Sequence, residues 1–433
     1  MKIGSYHTAR GRLIGRAAAV FLALFFLAAL FVPSIKTPAE SDAETSENRK
    51  TAEKDPEGAV IGSTYHIDAP GTARSLPVQR EDLGCGAIEC MDSARSAVLI
   101  EATSGQMLLS SNPDEQLPMA STTKTMTALV VLEHCSPDEV LVVPDEAVGV
   151  EGSSLYLAYG ERLTVRDLLY GLMLRSGNDC AVALAIHAAG SVEAFAELMN
   201  ERAARMGLIH THFVTPNGLH DKEHYTTAYE LALIGAEALR NEEFRTIVST
   251  KYYDFYSNIR HITVKNKNSM LWDYDGCIGI KTGYTSQAGR CLLFAAEKDG
   301  MLLVGCVLHC TPMFSVAPLM LNYGFQNFAL ASAVNKGDEL ARCEVTGGGE
   351  IPLVADRDIL IPVRKGEAVD AEVRTELIAD GYKPILEGEP IGVARVFVGS
   401  TPVGEAVLLA GESASVFSFR HYFDLLLGAF GRG

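Results

Sequence analysis

The chain has 433 residues, enough at roughly 100–200 residues per domain for two or three domains with buried cores. Hydrophobic residues make up 48% and charged residues 21%, a globular balance that excludes a wholly disordered chain. With 54 acidic residues against 37 basic ones the net charge is −17, which removes the electrostatic basis of nucleic-acid binding, and nine thinly spread cysteines exclude a disulfide-dense scaffold.

At the start, Lys2, Arg10, Arg12 and Arg16 precede an uncharged run of 16 residues, Ala17–Val32 (AAAVFLALFFLAALFV). That is shorter than the roughly 20 residues a membrane-spanning helix needs and fits the apolar centre of an export signal. Pro33 ends the run, and Thr37-Pro38-Ala39 is the best, weakly written cleavage site. Residues 1–35 are therefore read as a signal peptide or a retained N-terminal membrane anchor, with the basic residues inside and the remainder exported. Export permits disulfides. Cys85 and Cys90 are close enough to bridge, whereas Cys277, Cys291, Cys306 and Cys310 lie in apolar runs where a small buried hydrophobe fits.

Residues 36–92 are polar, centred on SDAETSENRKTAEKDPEG, and read as a flexible tether. Order begins with SAVLIE (96–101), a Thr103-Ser104-Gly105 turn and QMLL (106–109), which predict a hairpin. Helical patterns follow over 122–134, 165–174, 180–189, 192–206 and 228–240. Strands are predicted over 278–284, 290–296 and 301–309, the last two joined by Lys298-Asp299-Gly300, and then a helix over 313–329. A strand pair, a block of helices and three more strands point to an α+β domain over 93–335, with helices packed on an antiparallel sheet. Short alternating runs such as VARVFV (393–398), punctuated by glycine turns, predict a small all-β domain over 336–410 that serves as spacer or docking module.

Three motifs stand in order along the first domain. Ser121-Thr122-Thr123-Lys124 opens an apolar helix, so the Lys124 amine and the Ser121 hydroxyl share one face, one turn apart. A neutral amine there can take the hydroxyl proton, and the helix N-terminus offers backbone N–H groups to a developing oxyanion. Taken singly, such a match is most often an N-capped helix with a surface lysine. Ser176-Gly177-Asn178 follows DLLYGLML and, alone, reads as a helix–helix turn. Lys281-Thr282-Gly283 lies on a predicted strand before Tyr284; it offers a cation and a hydroxyl to a carboxylate, the glycine allowing close approach of a substrate backbone. Alone, it reads as an edge strand with a solvated lysine.

The ordered trio resembles that of penicillin-binding proteins and serine β-lactamases. Together with ARSAVLIEATSGQMLLSSN, LPMASTTKTMTALV, MLRSGNDCAVALA, FVTPNGLHDKEHYTTAYELALI, GIKTGYTSQAGRCLLFAA and LNYGFQNF, it is similar to the low-molecular-weight penicillin-binding proteins that are serine-type D-alanyl-D-alanine carboxypeptidases. The likeness is close over 93–330 and looser over the β-rich domain. It implies a penicillin-binding/β-lactamase-like transpeptidase fold and removal of the terminal D-alanine from peptidoglycan stem peptides in the cell-wall space of a bacterium. It implies β-lactams as inhibitors, and no cofactor. By the same resemblance Ser121 is the nucleophile, Lys124 its base, Ser176 a proton relay and Asn178 the partner of the substrate amide. Lys281, Thr282 and Gly283 bind the terminal carboxylate side of the peptide, and the backbone N–H groups of Ser121 and Tyr284 form the oxyanion hole.

Two competing functions share the fold. A class A β-lactamase carries a further Glu for deacylation, and the corresponding HTHFVTPNGLHD (210–221) has none. A catalytically silent wall-binding protein would have lost Ser121, Lys124 or Lys281, and all are present. His210, His212, His220 and His224 lack a metal-ligand spacing and read as structural, with Asp221 and Glu223 as solvated loop charges. Finally, residues 411–433 end in VFSFRHYFDLLLGAFGRG, where Val416, Phe419, Phe423, Leu426, Leu427 and Phe430 form one apolar stripe if helical. The tail is read as an amphipathic membrane anchor, the alternative being a helix docked on the β domain, since only Arg420 and Arg432 are basic.

Overall fold

The computed structural model describes residues 87–345, 349–367, 370–378 and 385–414. The N-terminal segment, the Cys85 half of the Cys85–Cys90 pair and the apolar stripe of the tail lie outside the described residues. Among the described residues no single helix is long and apolar enough to cross a membrane.

The central sheet begins with β1 (Ser96–Glu101) and β2 (Met107–Ser111), which pair antiparallel around the turn at Gly105. All six residues of β1 are buried, because both faces of this sheet are covered; SAVLIE accordingly reads as a continuous apolar run rather than an alternation. The other strands are β7 (Cys277–Thr285), β8 (Gly289–Lys298) and β9 (Met301–Leu308), in the order β2-β1-β9-β8-β7. Asp299 and Gly300, both at positive φ, make the two-residue β8–β9 turn, whose twist suits the flanking strands. Strand β7 is an edge, and it carries Lys281.

One face of the sheet is covered by α1 (Lys124–His134), α2 (Val165–Tyr170), α3 (Asn178–Ala189), α4 (Val192–Arg205), α5 (Ala228–Ala238) and α6 (Glu242–Ser249). Their starts are set locally: Thr164, Ser191, Thr227 and Asn241 each accept a first-turn backbone N–H, and Thr164 forms a full capping box with Asp167. Helix α1 is buried from Lys124 to Val131 and is therefore apolar on nearly all sides. Arg202 on α4 ties that helix to α1 and α5, bonding Glu133 at 2.7 Å and Glu237 at 2.6 Å. After a short α7 (Met270–Asp273), α8 (Met313–Asn327) covers the opposite face, where Leu99, Phe294, Leu303, Met320 and Leu321 form a second core. Gly305 on β9 makes room for the Phe294 ring; a Cβ there would stand 2.2 Å from it.

Two small strand pairs escaped the sequence reading: β3 (Val140–Val142) with β4 (Arg162–Thr164), and β5 (Tyr252–Tyr256) with β6 (His261–Lys265). In β5 and β6 only Phe255 and Val264 are buried, so almost no apolar alternation marks them.

The second domain is all-β, as expected. Strands β11 (Glu339–Glu344), β12 (Glu350–Ala355), β14 (Ala371–Leu377), β15 (Pro390–Val398) and β16 (Thr401–Ala410) form a sheet in the order β11-β12-β16-β15-β14. The strand β10 (Phe328–Val334), assigned from sequence to the end of the first domain, pairs instead with β13 (Ile359–Arg364). Val334, Ile359, Ile361, Val396 and Val403 share one of the two cores of this domain. The helix predicted over 313–329 thus stops two residues early and turns straight into β10. The junction is held by Lys365, whose N–H and ammonium donate to the carbonyls of Asn327 and Phe325, each at 2.7 Å.

Candidate active site

Ser121 sits in a 3₁₀ turn, Ala120–Thr123, that runs directly into α1. The residue before it, Ala120, has φ +50°, a left-handed conformation that a side-chain-bearing residue adopts only when its surroundings impose it. Those surroundings are visible. The Thr123 hydroxyl donates to the Ala120 carbonyl at 2.8 Å, Thr122 to Met119 O at 2.6 Å, and Thr127 to Pro216 O at 2.6 Å. Gly218, itself at φ +80°, lies so close that a Cβ would be 2.0 Å from Ala120 O.

One turn on, Lys124 is fully buried. Its Nζ donates to Ser121 Oγ at 3.1 Å, Asn178 Oδ1 at 2.7 Å and the Asn217 carbonyl at 2.6 Å. All three acceptors are neutral. Burial brings its pKa down to about 7, and the Lys267 ammonium adds to the fall, against the opposing influence of Cys180 and Asp179. At neutral pH a large fraction of this amine is unprotonated and hydrogen-bonded to the hydroxyl it faces.

The second motif closes one side. After α2 the chain takes a π-helical turn, Gly171–Arg175, and Ser176 follows at φ +66°, a bulge of the kind that re-aims a backbone at functional sites. Asn178 then starts α3. Its Oδ1 faces Lys124 and its Nδ2 donates to the Glu151 carbonyl at 2.6 Å, so both ends of the amide are fixed. The next residue, Asp179, is buried and accepts from Leu155 N, Leu157 N and the Ser154 hydroxyl, binding the 151–157 segment to the start of α3.

The third motif closes the other side. Lys281 on β7 is 1% exposed, not solvated, and its Nζ donates to the Thr282 carbonyl at 2.9 Å. Burial, followed by the charges of Lys124 and Lys267, holds its pKa well below the usual lysine range. Gly283 lies against the nucleophile turn: a Cβ there would meet Ser121 N at 3.0 Å and Met119 O at 3.1 Å. Tyr284 is 66% exposed, with the Arg290 guanidinium over its ring.

The structure thus joins Ser121, Lys124 and Asn178 by hydrogen bonds, sets Gly283 against the Ser121 turn and puts Lys281 within electrostatic reach of Lys124, with Ser176 and Thr282 beside them in the chain. It also adds residues the sequence did not single out. Lys267, half-buried and bonded to Ser153 Oγ at 3.0 Å, is a third cation among them. Asn217 contributes only a main-chain carbonyl, which no residue type advertises. The histidines go separate ways: His212 faces the Glu223 carbonyl, His210 lies 3.4 Å from Glu230, and His224 is buried against Thr123 and Val214. Among the described residues they form no metal-ligand cluster. Segment 210–221, where a class A β-lactamase would place its additional Glu, supplies here the Asn217 carbonyl to Lys124.

Comparison with known proteins bears on the family and the fold. Residues 87–311 match the family model for D-alanyl-D-alanine carboxypeptidase, and residues 328–415 that for the penicillin-binding protein 5 C-terminal domain. The D-alanyl-D-alanine carboxypeptidase DacF of Bacillus subtilis is 30% identical over 354 residues, covering 78% of this chain and 90% of its own. The solved penicillin-binding protein 5 of Haemophilus influenzae superposes with a TM-score of 0.62 at 30% identity, over 75% of this chain and 98% of its own. The Streptomyces K15 DD-transpeptidase gives 0.52 at 36% identity, over 54% of this chain and 97% of its own, as its match stops short of the β domain. A family match across more than half of the sequence, with relatives aligned over most of their lengths, establishes that this chain belongs to the D-alanyl-D-alanine carboxypeptidase family of low-molecular-weight penicillin-binding proteins.

Proposed function

We propose that this protein is a serine D,D-carboxypeptidase that removes the terminal D-alanine from peptidoglycan stem peptides. The observation that carries the assignment is the Lys124 amine, buried against neutral hydrogen-bond acceptors 3.1 Å from Ser121 Oγ, its pKa lowered by burial to about 7. Ser121 Oγ attacks the penultimate D-alanyl carbonyl as its proton passes to Lys124 Nζ. The oxyanion is received by the backbone N–H groups of Ser121 and Tyr284. Collapse breaks the peptide bond; the departing D-alanine amine takes back a proton from Lys124, with Ser176 as relay, and water then hydrolyses the Ser121 ester. A β-lactam follows the same attack, but its leaving amine stays tethered. With no added Glu in segment 210–221, its ester persists and the drug inhibits rather than being consumed.

Recognition of the free C-terminus falls to Lys281 and Thr282, supported by Lys267. Three lysines converge on this cleft in a chain of net charge −17, and two of them depress the pKa of the third. A substrate carboxylate supplies the missing negative charge and restores the protonated form of Lys281, so binding and protonation reinforce each other. We further infer that the chain acts at the outer face of the cytoplasmic membrane, held there by its N-terminal segment, its amphipathic tail or both.

Ser121→Ala should abolish both D-alanine release from a D-alanyl-D-alanine peptide and the intact-mass increase on mixing with penicillin; a retained adduct overturns the assignment. The acylation rate, followed with a chromogenic β-lactam from pH 5 to 9, should rise about tenfold per unit below pH 7 and level off above it, because only the deprotonated Lys124 accepts a proton. A flat profile removes Lys124 as the base. Lys281→Ala should lose about 1.5–3 kcal/mol, roughly ten- to a hundredfold in kcat/KM, on a peptide with a free carboxylate and far less on its amide. Equal losses on both would argue against carboxylate binding. Protein lacking residues 1–39 should sediment with liposomes, and further removal of residues 413–433 should release it; if the first form stays in solution, the tail is no membrane anchor.

A further inference from the structure

His224 belongs to none of the three motifs, yet it is 3% exposed and lies one hydrogen bond from the nucleophile turn. Its two ring nitrogens have assigned roles. Nδ1 accepts the Val214 backbone N–H at 3.0 Å, so the ring proton sits on Nε2. Nε2 is 2.8 Å from Thr123 Oγ1, whose own hydrogen goes to the Ala120 carbonyl at 2.8 Å. Each donor is used once, and the direction of the chain is therefore fixed: Val214 N–H to His224, His224 to Thr123, Thr123 to Ala120 O. Burial, with the charge of His212 next, holds the ring pKa at about 4, which keeps this neutral tautomer populated at neutral pH.

The chain ends on a particular peptide unit. The carbonyl of Ala120 and the N–H of Ser121 belong to the same rigid plane, so whatever fixes the oxygen also aims the hydrogen. Ala120 is in the left-handed region, and release of its carbonyl would let it relax to negative φ, turning the Ser121 N–H with it. A hydrogen bond to the carbonyl also polarises the amide and strengthens its N–H as a donor, the cooperative effect expected of such chains in a low-dielectric interior. Gly218 packs on the same oxygen and leaves room for no side chain there.

We propose that His224 is a positioning residue for the oxyanion hole: through Thr123 it orients and polarises the Ala120–Ser121 peptide, whose N–H receives the developing negative charge. The inference rests on Ser121 being the nucleophile. Deleting a complete oxyanion donor costs ~100- to 1000-fold in other serine hydrolases, and misaligning one should cost less, about 10- to 100-fold.

The test separates ground-state from transition-state binding. The acylation rate constant and the encounter dissociation constant are measured with a chromogenic β-lactam, beside the inhibition constant of a peptidyl boronic acid, which adds to Ser Oγ and mimics the tetrahedral oxyanion. In His224→Phe and in the isosteric Thr123→Val, acylation should fall about 10- to 100-fold and boronate affinity with it, while the encounter constant stays within about twofold. His224→Gln, which keeps a donor toward Thr123, should recover most of the loss, and the double variant H224F/T123V should be no worse than the poorer single one. Melting temperature verifies folding; should His224→Phe fail to fold, Thr123→Val carries the test alone. Unchanged acylation in a folded variant, additive losses in the double variant, or a loss confined to the encounter step overturns the proposal. Penicillin labelling of Ser121→Ala keeps the two readings apart: a labelled variant overturns the nucleophile, and an unlabelled one with normal Thr123→Val acylation overturns only the role of His224.

Discussion

The architecture of the site turns on one constraint, the burial of the Lys124 ammonium against the neutral oxygens of Ser121, Asn178 and Asn217. Taking a cation out of water is costly unless it is paired, and the protein meets that cost by letting the amine lose its proton rather than by supplying a carboxylate. The rest of the site respects this choice. Asp179, the nearest buried acid in sequence to Asn178, spends its oxygens on Leu155 N, Leu157 N and Ser154 Oγ. The additional cation at Lys267 pushes in the same direction as burial. An amine that titrates near neutral pH is the outcome of this arrangement.

The same arrangement explains why glycines and left-handed residues crowd the site. Ala120 and Ser176 both adopt positive φ immediately before or within a motif, and Ala120 is held there by the Thr123 hydroxyl and the packing of Gly218. Gly218 and Gly283 stand where backbone must approach backbone, one on the Ala120 carbonyl and the other on the Ser121 amide. Side chains give the site its chemistry; the close backbone contacts set its dimensions.

Much of this was legible in the sequence. The i, i+3 relation of Ser121 and Lys124 is a local property of a helix, and the strand around Lys281 announces itself by β-rich apolar text. What the sequence did not disclose depends on tertiary contact. Lys281 on an edge strand reads as solvated, and only the packing of β7 against the nucleophile turn buries it. Lys267 sits in a polar stretch with no pattern to distinguish it from its neighbour Lys265. The contribution of Asn217 is a carbonyl, invisible to any argument from residue type. The hairpin of β5 and β6 escaped because it buries only one side chain per strand, and β10 was placed in the wrong domain because its partner, β13, begins 25 residues after it ends.

The contact between Gly283 and the Ser121 turn joins segments some 160 positions apart in the chain. Helix α1 and the Ser121–Lys124 pair are made from neighbouring residues, and β7 with β8 is a local hairpin, whereas seating that hairpin on the Ser121 turn joins residues far apart in sequence. The Ser121–Lys124 pair is thus a local feature of the chain, and its surroundings are not. Until the edge strand docks, Ser121 lacks the Tyr284 amide and the Lys281 cation that the proposed mechanism requires. In that mechanism reactivity is coupled to completion of the fold.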